Sequence, residues 1–467
     1  MDRRKFIKAS VVGAAGLSAV PSAVAHEVSA GLLGQEAQDV VKAGMIIPGE
    51  VSTDGKAGDV STDVDKHLKV SGYVRESAHR IPVVASADVV VAGGGAAGVA
   101  AAVCAARQGA SVLLVEKANF LGGLWTGGLV LPVLATHGKG KTVAWDKATG
   151  GICTELCDIL LDNGWARNPL NPVCQPEATK YVLEKTLADA GVRVLYNSTV
   201  AGVVMSGNRI DCVLVDCSTG RIALKCKAAV DASGDGMLFH FAGDPHEARR
   251  YHMSTSYRFD GVPEGSTFGM KITSSDKRYS PFGTKDPIDG LDVFEVSQRQ
   301  REHRIAIWNM MEQKKTEPGN EKLCLVELGP TTGVRVTRVL DSLHNVTLEE
   351  SMEWTEFDDV IGMSGMCDPF TYKGRRIEHK DRPIWQIPYR SLVPRQTSNL
   401  LVAGRCFGYD QGITWDAREI STCMVTGQAA GTAAAMVSGA GKPIAARDVN
   451  ISDLQRRLKS ANVRLEF

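Results

Sequence analysis

The chain has 467 residues, of which 44% are hydrophobic and 23% charged, so extensive disorder is excluded and two or three domains are expected. Lys and Arg number 53, as do Asp and Glu, and this balance argues against nucleic acid as a partner because surfaces that bind it carry a basic excess. The 11 cysteines form no Cys-x-x-Cys pair, which excludes a zinc ribbon, a thioredoxin-type motif and covalent c-type haem, and no metal site is expected.

The first 25 residues are predicted to be a signal peptide. A basic start containing Arg3 and Arg4 precedes a weakly apolar run, Ala9–Val20, and the segment ends in Ala23-Val24-Ala25. The run is shorter than the roughly 20 residues that span a bilayer, and no later segment is apolar for that length. The Arg pair resembles a twin-arginine signal, which implies export of a folded protein, cleavage after Ala25 and a periplasmic location. A basic helix on a cytosolic protein is the alternative.

Residues 26–84 are polar and rich in Gly and are interpreted as an extension. A strand, a glycine-rich turn and a helix then follow in the order typical of dinucleotide-binding domains. The β-branched run Ala87–Ala92 predicts a buried parallel strand, and the Ala-rich Val99–Gln108 predicts a helix. The motif Gly93-Gly94-Gly95-Ala96-Ala97-Gly98 stands between them. The next strand, Ser111–Val115, ends in Glu116.

Each position of this motif has its own expected task. Gly93 makes the tight turn, Gly95 lets the backbone approach a pyrophosphate, and Gly98 lets the helix pack closely on the strand. The helix start, which includes Ala97, offers N–H groups to the phosphates, and Glu116 accepts hydrogen bonds from the adenosine ribose. A glycine-rich turn that only packs a helix on a sheet would not need this acid, so a dinucleotide is predicted.

A second glycine-rich segment directly after the acid favours FAD among the dinucleotides. Lys117–Gly128 contains Gly122-Gly123-Leu124, which indicates backbone wrapped along a longer ligand, whereas nicotinamide enzymes usually place the next strand there. With these motifs the chain resembles FAD-binding flavoproteins of the glutathione-reductase type. It is most similar to the exported bacterial FAD-dependent oxidoreductases, and the resemblance runs from about Ile81 to the C-terminus.

The resemblance implies an α/β fold: a glutathione-reductase-type, doubly wound FAD-binding domain carrying an inserted α+β substrate domain. The FAD-binding domain would combine 85–123, 195–237 and 395–467, and the substrate or cap domain 124–194 and 238–394. Further cofactor contacts are implied at Lys117, Gly123, Leu124, Val200, Gly234, Gly404, Arg405 and Thr422. Val200 would meet the adenine, and Thr422 would lie near the flavin. Arg405 stands where many relatives carry an acid, and it would pair with the pyrophosphate instead.

The candidates for catalysis are His137, Tyr389, Arg390 and Arg418. A flavin oxidation needs a base, for which His137 and Tyr389 are suitable residue types. Arg390 or Arg418 can hold a carboxylate or polarise a carbonyl. The alternative for each is a structural role in fixing a loop or the cofactor. Within the substrate domain, Val296–Gln313 and Leu348–Ile361 are expected to be helices, the second with a solvated acidic face.

The sequence also limits the classes of reaction that are expected. No cysteine pair follows Glu116 and no second glycine motif occurs in mid-chain, so NADPH-driven reduction of a disulfide is not expected. The expected function is hydride transfer between a small organic substrate and FAD, with a quinone, a cytochrome or another redox partner. The alternatives are an isomerase or lyase that contains FAD, and a subunit that binds FAD without turnover.

Overall fold

The structure is a computed structural model that describes residues 64–71, 74, 79–272, 278–366, 370–439 and 444–467. The chain divides into two units, and the first, Met1–Ser61 with Lys69–Arg80, lies almost wholly outside the described residues. The predicted signal peptide and most of the predicted extension fall in this part. The second unit, Thr62–Leu68 with Ile81–Phe467, carries every element discussed below. Within the described ranges no helix is both long enough and apolar enough to cross a membrane.

The α-helices, numbered in chain order, are α1 Val64–His67, α2 Ala96–Arg107, α3 Gly151–Asp162, α4 Pro176–Asp189, α5 Met237–Ala242, α6 Val293–Lys315, α7 Leu348–Met352, α8 Thr414–Ala417, α9 Ile420–Ser438 and α10 Ile451–Ser460. The strands are β1 Val83–Ala92, β2 Val112–Val115, β3 His137–Gly138, β4 Asp146–Lys147, β5 Ala166–Arg167, β6 Val173–Cys174, β7 Arg193–Leu195, β8 Thr199–Ser206, β9 Arg209–Cys217, β10 Gly220–Asp231, β11 His246–Ala248, β12 Arg250–Asp260, β13 Met270–Lys271, β14 Arg278–Asp289, β15 Cys324–Leu328, β16 Gly333–Val334, β17 Arg338–Leu340, β18 Val360–Ser364, β19 Phe370–Tyr372, β20 Arg375–Ile377, β21 Trp385–Pro388 and β22 Leu400–Val402.

A seven-stranded sheet organises the core. Its order is β7-β2-β1-β10-β9-β8, and β22 pairs with β10 as well. Strands β7, β2, β1, β10 and β22 are parallel, whereas β8 and β9 join β10 in an antiparallel meander. The 12-residue β10 serves both parts, because Gly220–Lys225 pairs with β9 and Ala229–Asp231 pairs with β22. This mixed sheet confirms an α/β fold with a parallel core.

Helices α2 and α9 cross at very short distance. A Cβ atom added at Gly427 would lie 2.2 Å from the Ala97 carbonyl oxygen, and one at Gly431 would lie 2.0 Å from that of Ala101. The two glycines therefore let the two helix backbones come into contact. The crossing fixes the first turn of α9 relative to the glycine motif at the start of α2.

A second, antiparallel sheet is built from the inserted residues. Its order is β13-β14-β12-β15, with β16 also paired to β12, and helix α6 packs on it. The expected helix over Val296–Gln313 is confirmed and extends from Val293 to Lys315, after an N-cap at Asp292. This part has its own small core, formed by Tyr257, Phe259, Ile307, Met311 and Leu323.

The helix expected over Leu348–Ile361 was wrong beyond its first turn and a half. Thr347 and Glu350 form a reciprocal cap at the start of α7, but the helix ends at Met352. Trp354 then takes a positive φ of 50°, which stops the helix, and the chain enters strand β18 at Val360. The expected solvated acidic face is not formed by all of the acids in this segment, since Asp359 is buried.

Helices α3 and α4 lie in the stretch assigned from the sequence to the substrate domain. Their buried side chains, Ile152, Leu156, Val182 and Leu183 among them, belong to the same core as the strands of the seven-stranded sheet. The division of 124–194 from the cofactor-binding segments stays a prediction, and these helices support the sheet rather than the antiparallel layer.

Candidate active site

A cavity of about 530 Å³ opens at the carboxyl ends of the parallel strands. Gly93, Glu116, Ala232 and Gly404 line it, and they follow β1, β2, β10 and β22 along the chain. Ligands of open parallel sheets bind at this end, where the connecting loops converge. The sheet thus brings Gly93 and Gly404, which are far apart in the sequence, to the same cavity.

The glycine motif shapes one wall of this cavity. Gly93 has a φ of +96°, and a Cβ there would lie 2.5 Å from the Ala232 carbonyl oxygen. A Cβ at Gly98 would lie 1.8 Å from the Gly93 carbonyl oxygen, so Gly98 serves helix packing and does not line the cavity. A Cβ at Gly95 would meet no atom within 4 Å, although Gly95 lines the cavity. The face of Gly95 therefore points into open space.

The start of α2 is prepared for an anion. Gly95 is the N-cap residue and, as a glycine, has no side chain to accept a hydrogen bond from the first turn. Ala96 and Ala97 line the cavity at this turn. The N–H groups of a helix start and the positive end of the helix dipole favour phosphate oxygens.

Glu116 lies at the end of β2 and is buried. Its Oε2 accepts a hydrogen bond of 2.6 Å from the Gly94 N–H, and its Oε1 accepts one of 2.7 Å from the Ala118 N–H. Each carboxylate oxygen has a second lone pair, so both can also accept from a hydroxyl. The carboxylate therefore holds the glycine turn in place and lines the cavity at the same time.

The second glycine segment packs directly against the first. The Gly122 N–H donates to the Gly94 carbonyl oxygen at 2.8 Å, and a Cβ at Gly123 would lie 3.1 Å from Gly95 Cα. Both glycines have positive φ, 100° and 55°. Lys117, Gly123, Leu124 and the fully buried Trp125 line the cavity beside them. The contribution of Trp125 was not predicted, because its type and spacing do not distinguish it from core aromatics.

Arg405 lines the cavity, but its guanidinium is directed to protein acceptors and not to an open pyrophosphate position. Its Nη2 lies 2.8 Å from Asp235 Oδ1, and its Nε and Nη1 donate to the carbonyl oxygens of Gly234 and Val334. Burial alone would raise the pKa of Asp235, but the charges of Arg405 and Lys117 outweigh it and lower that pKa to about 2. The expected pairing of Arg405 with the pyrophosphate is therefore corrected. Arg405 instead links Gly234 and Asp235 to Val334 of the inserted segment.

Arg418 is the predicted catalytic residue that the structure brings into the cavity. Its side chain is 15% exposed, and its Nη1 lies 3.9 Å from Glu419 Oε1, at the limit of an ion pair. Its Cζ lies 4.6 Å from the centre of the Trp415 ring. A largely buried cation at the cavity wall can meet a negatively charged or carbonyl group of a ligand.

Tyr389 and Arg390 do not reach the cavity. Tyr389 is buried, and its hydroxyl donates to the Ala446 carbonyl oxygen at 2.7 Å. Burial raises the pKa of Tyr389, so its hydroxyl stays protonated and does not act as a base. Arg390 makes two bonds to Asp359, 2.9 Å from Nε to Oδ2 and 3.1 Å from Nη2 to Oδ1. Both candidates therefore have structural contacts, since Tyr389 faces the C-terminal segment and Arg390 faces the residue directly before β18.

His137, Val200 and Thr422 also lie outside the cavity lining. His137 sits in β3, with its Nδ1 2.9 Å from Thr136 Oγ1, and burial lowers its pKa. Val200 is a buried residue of the meander strand β8. The Thr422 hydroxyl is taken up inside the protein, 2.7 Å from Ser364 Oγ. The structure therefore does not bring His137, chosen by residue type, or Val200 and Thr422, implied by the resemblance, into the cavity lining.

The residues present fit FAD. The uncapped start of α2, the open face of Gly95 and the positive-φ glycines Gly123 and Gly404 form a cradle of backbone without side chains, as a pyrophosphate requires. Glu116 provides the acceptor for ribose hydroxyls at the end of the second strand.

Comparison with known proteins gives the family. The sequence profile of the FAD dependent oxidoreductase family matches residues 88–280 and 248–458. No curated protein sequence matches the chain.

The chain is also similar to several solved structures. A geranylgeranyl bacteriochlorophyll reductase-like protein from Thermoplasma acidophilum is 14% identical, covers 82% of this chain and 85% of its own, and has a TM-score of 0.44. The p-nitrophenol 4-monooxygenase of Pseudomonas putida DLL-E4 is 10% identical, with coverages of 80% and 84% and a TM-score of 0.43. The myxobacterial chondrochloren halogenase is 14% identical, with coverages of 80% and 78% and a TM-score of 0.40. On the profile match over most of its length, the chain belongs to the FAD-dependent oxidoreductase family and uses FAD as its cofactor.

Proposed function

We propose that this enzyme is exported by a twin-arginine signal and transfers hydride between a small organic substrate and FAD, while a quinone, a cytochrome or another redox partner completes the cycle. One observation carries the proposal: a single cavity is walled by the cofactor cradle and also by inserted residues, Gly290, Val296, Pro330, Thr331, Thr332 and Val334. A substrate held by the inserted residues would therefore lie against the cofactor.

We also propose that the FAD-binding part is of the glutathione-reductase type. Five parallel strands joined to an antiparallel meander through the long strand β10 support this assignment. The FAD-binding domain is then assembled from the segments that carry β1, β2, β10 and β22, together with β7, which straddles the boundary predicted at residue 195.

The chain's own residues would divide the work as follows. FAD, when bound, supplies a ring that accepts or donates hydride. The first turn of α2 would hold the phosphates of FAD, and Glu116 would hold its adenosine ribose. Val296, Pro330 and Val334 contribute apolar surface to the cavity wall, and Arg418 attracts the polar end of the substrate.

The experiment is an anaerobic titration of the purified holoprotein with small acids, alcohols and amines, followed through the absorbance of oxidised flavin. Bleaching by one compound, reversed when an electron acceptor is added, is the expected result. Conversion of a compound without net bleaching or an acceptor requirement would support a redox-neutral isomerase or lyase instead. No bleaching and no conversion by any compound would favour a subunit that binds FAD without turnover.

A further inference from the structure

Helix α6 exposes large apolar side chains on the face that points away from the antiparallel sheet. Phe294 is 75% exposed, Ile305 57% and Trp308 55%. On the opposite face, Ile307 and Met311 are buried in the small core of this layer. Exposed apolar residues are common when they occur singly, but three on one face of one helix indicate a surface that another molecule covers.

The exposed residues of this face follow a seven-residue repeat. Successive members are separated alternately by four and three positions, and a repeat of this spacing keeps its members on one face along the whole helix. The same spacing is the pattern through which two helices pair. We call the set the outer stripe of α6, and its members, all exposed, are Phe294, Gln298, Arg301, Ile305, Trp308 and Glu312.

The charges of the outer stripe lie on either side of its apolar centre. Arg301 stands one turn before Ile305, and Glu312 stands one turn after Trp308. Within the described part of the chain Arg301 takes part in no ion pair. Glu312 Oε1 lies 2.8 Å from Nζ of Lys315, on the surface of the same helix. The stripe therefore runs from a positive charge through apolar residues to a negative charge.

We propose that the outer stripe binds the outer stripe of a second copy of this chain, with the two helices antiparallel. A two-fold axis that passes midway between Ile305 and Trp308 places each of these residues opposite the other in the second copy. The same axis places Arg301 opposite Glu312. Symmetry repeats every contact, so the pairing has two apolar layers at its centre and an ion pair on each side of them.

The charge balance of the stripe favours a second copy over a lipid surface. Helices that lie on anionic membranes carry an excess of Lys and Arg beside their apolar face, whereas the outer stripe has one Arg and one Glu. The 23 residues of α6 extend over about 34 Å, and at a width of about 10 Å a helix pair buries on the order of 700 Å² in total. Stable complexes bury roughly 1,200–2,000 Å², so the dimer is reversible.

The pairing would act on the helix that also carries a cavity residue. Val296 lines the cofactor cavity and lies on the side of α6 opposite the outer stripe. A second copy would therefore hold this helix from outside without entering the cavity. The inferred dimer goes beyond the proposed function and does not depend on it.

The first test is a set of charge reversals in the holoprotein, with association measured by sedimentation velocity over a range of protein concentrations. The wild type should pass from monomer to dimer as the concentration rises. Arg301→Glu and Glu312→Arg should each weaken association at least about tenfold, because each places like charges opposite one another twice. The two changes combined in one chain should restore association. Arg376→Glu is the control, since Arg376 is 59% exposed and lies in β20.

The second test removes the apolar centre. Trp308→Ser should leave the protein monomeric with its fold and FAD retained, because the indole is largely in solvent in the single chain. Tyr181→Ser is the matched control, since Tyr181 is a 56% exposed aromatic residue of another helix, α4, and its loss should not change association. Flavin per protein and far-UV circular dichroism measure the fold of each variant.

Three results would overturn the inference. The first is a wild type that stays monomeric at every concentration, and the second is a dimer that Trp308→Ser does not weaken. The third is a combined Arg301 and Glu312 variant that associates no better than either single variant, since the register is then wrong. A monomer that sediments with phosphatidylglycerol vesicles, but not after Trp308→Ser, would assign the stripe to a lipid surface instead.

None of these measurements uses a substrate. The dimer can therefore fail while a compound still bleaches the flavin, and it can stand when none does.

Discussion

Gly95 and Gly98 lie one helical turn apart, yet a side chain would have different effects at the two positions. Gly95→Val would place its branched side chain in open cavity space, so the protein should fold but lose FAD. Gly98→Val would drive a side chain into the Gly93 carbonyl oxygen, 1.8 Å from the added Cβ, so the fold itself should fail. Soluble yield, thermal unfolding and flavin content of the two variants separate these effects.

A Gly95→Val protein that retains one FAD per chain would refute the assignment of this turn to the pyrophosphate. A Gly98→Val protein that folds as well as the wild type would refute the packing role of Gly98.

Glu116→Gln is expected to weaken FAD binding by about 1–3 kcal/mol, because a charged acceptor contributes more than an amide to hydrogen bonds with hydroxyl and N–H donors. Fluorescence titration of the apoprotein with FAD measures the change. Glu155→Gln removes a surface carboxylate paired with Arg107 and serves as the control. The ribose role of Glu116 is contradicted if both variants bind FAD with the wild-type Kd.

Asp235 should make the holoprotein sensitive to acid. Its pKa is lowered from 3.8 to about 2 in the folded protein, so its stabilising contribution is complete above about pH 4 and is lost as the pH falls towards 2. Asp235→Asn should therefore lower the free energy of unfolding by about 2 kcal/mol at pH 7. Denaturant unfolding with excess FAD should show the wild type and the variant converging below pH 4. A constant difference down to pH 2 would exclude this ion pair as the cause.

The structure brings Gly93, Gly95 and Glu116 of the predicted cradle into the cavity but only one of the four catalytic candidates, and one physical reason accounts for this difference. Gly93, Gly95 and Glu116 belong to a contiguous motif whose spacing determines their geometry. Tyr389 and His137 were chosen by residue type, and only the fold decides which way such side chains face. Arg418 was placed in the cavity because it directly precedes the helix that packs on the glycine motif.

At the scale of secondary structure, the crossing of α2 and α9 is the contact on which the cavity depends. Gly431→Val would press a side chain against the Ala101 carbonyl oxygen, 2.0 Å from the added Cβ, and should destabilise the protein by about 1–3 kcal/mol. FAD affinity should fall too, because Ile420 and Cys423 at the start of α9 line the cavity. Urea unfolding and FAD titration measure the two effects.

Met436→Leu is the control for the α9 variant, since Met436 lies in the same helix and its volume is nearly conserved by the change. Wild-type stability of Gly431→Val would show that the two helices can separate at little cost.

The elements predicted best were those with strong local signals. Strand β1, helix α2 and strand β2 follow from hydrophobic runs punctuated by glycine, and α6 follows from its length and amphipathic pattern. Helix α7 was predicted too long because the acids of 348–361 were interpreted as one solvated helix face, whereas Trp354 and the pairing of β18 with β21 end the helix. Pairing between distant strands leaves no local signal.

For the whole molecule, export is the property that most needs a test. Replacement of Arg3 and Arg4 by Lys should keep the basic charge but remove the pair that a twin-arginine signal requires, so the protein should remain in the cytoplasm with its FAD. Cell fractionation with flavin measurement distinguishes the variants. Equal periplasmic amounts of both proteins would exclude this route, and an intact Met1 on periplasmic protein would exclude cleavage after Ala25.

The position of β22 in the sheet has a consequence for synthesis on the ribosome. Strands β1 and β2 are complete when residue 115 has been made, but their parallel neighbour β22 and the α9 wall of the cavity are encoded roughly 285 residues later, which is about 15 to 60 s of translation. A nascent chain can therefore present the glycine turn long before it can enclose a cofactor. Stable retention of FAD must follow release of nearly the whole chain, so shortened products ending before residue 400 should accumulate without flavin.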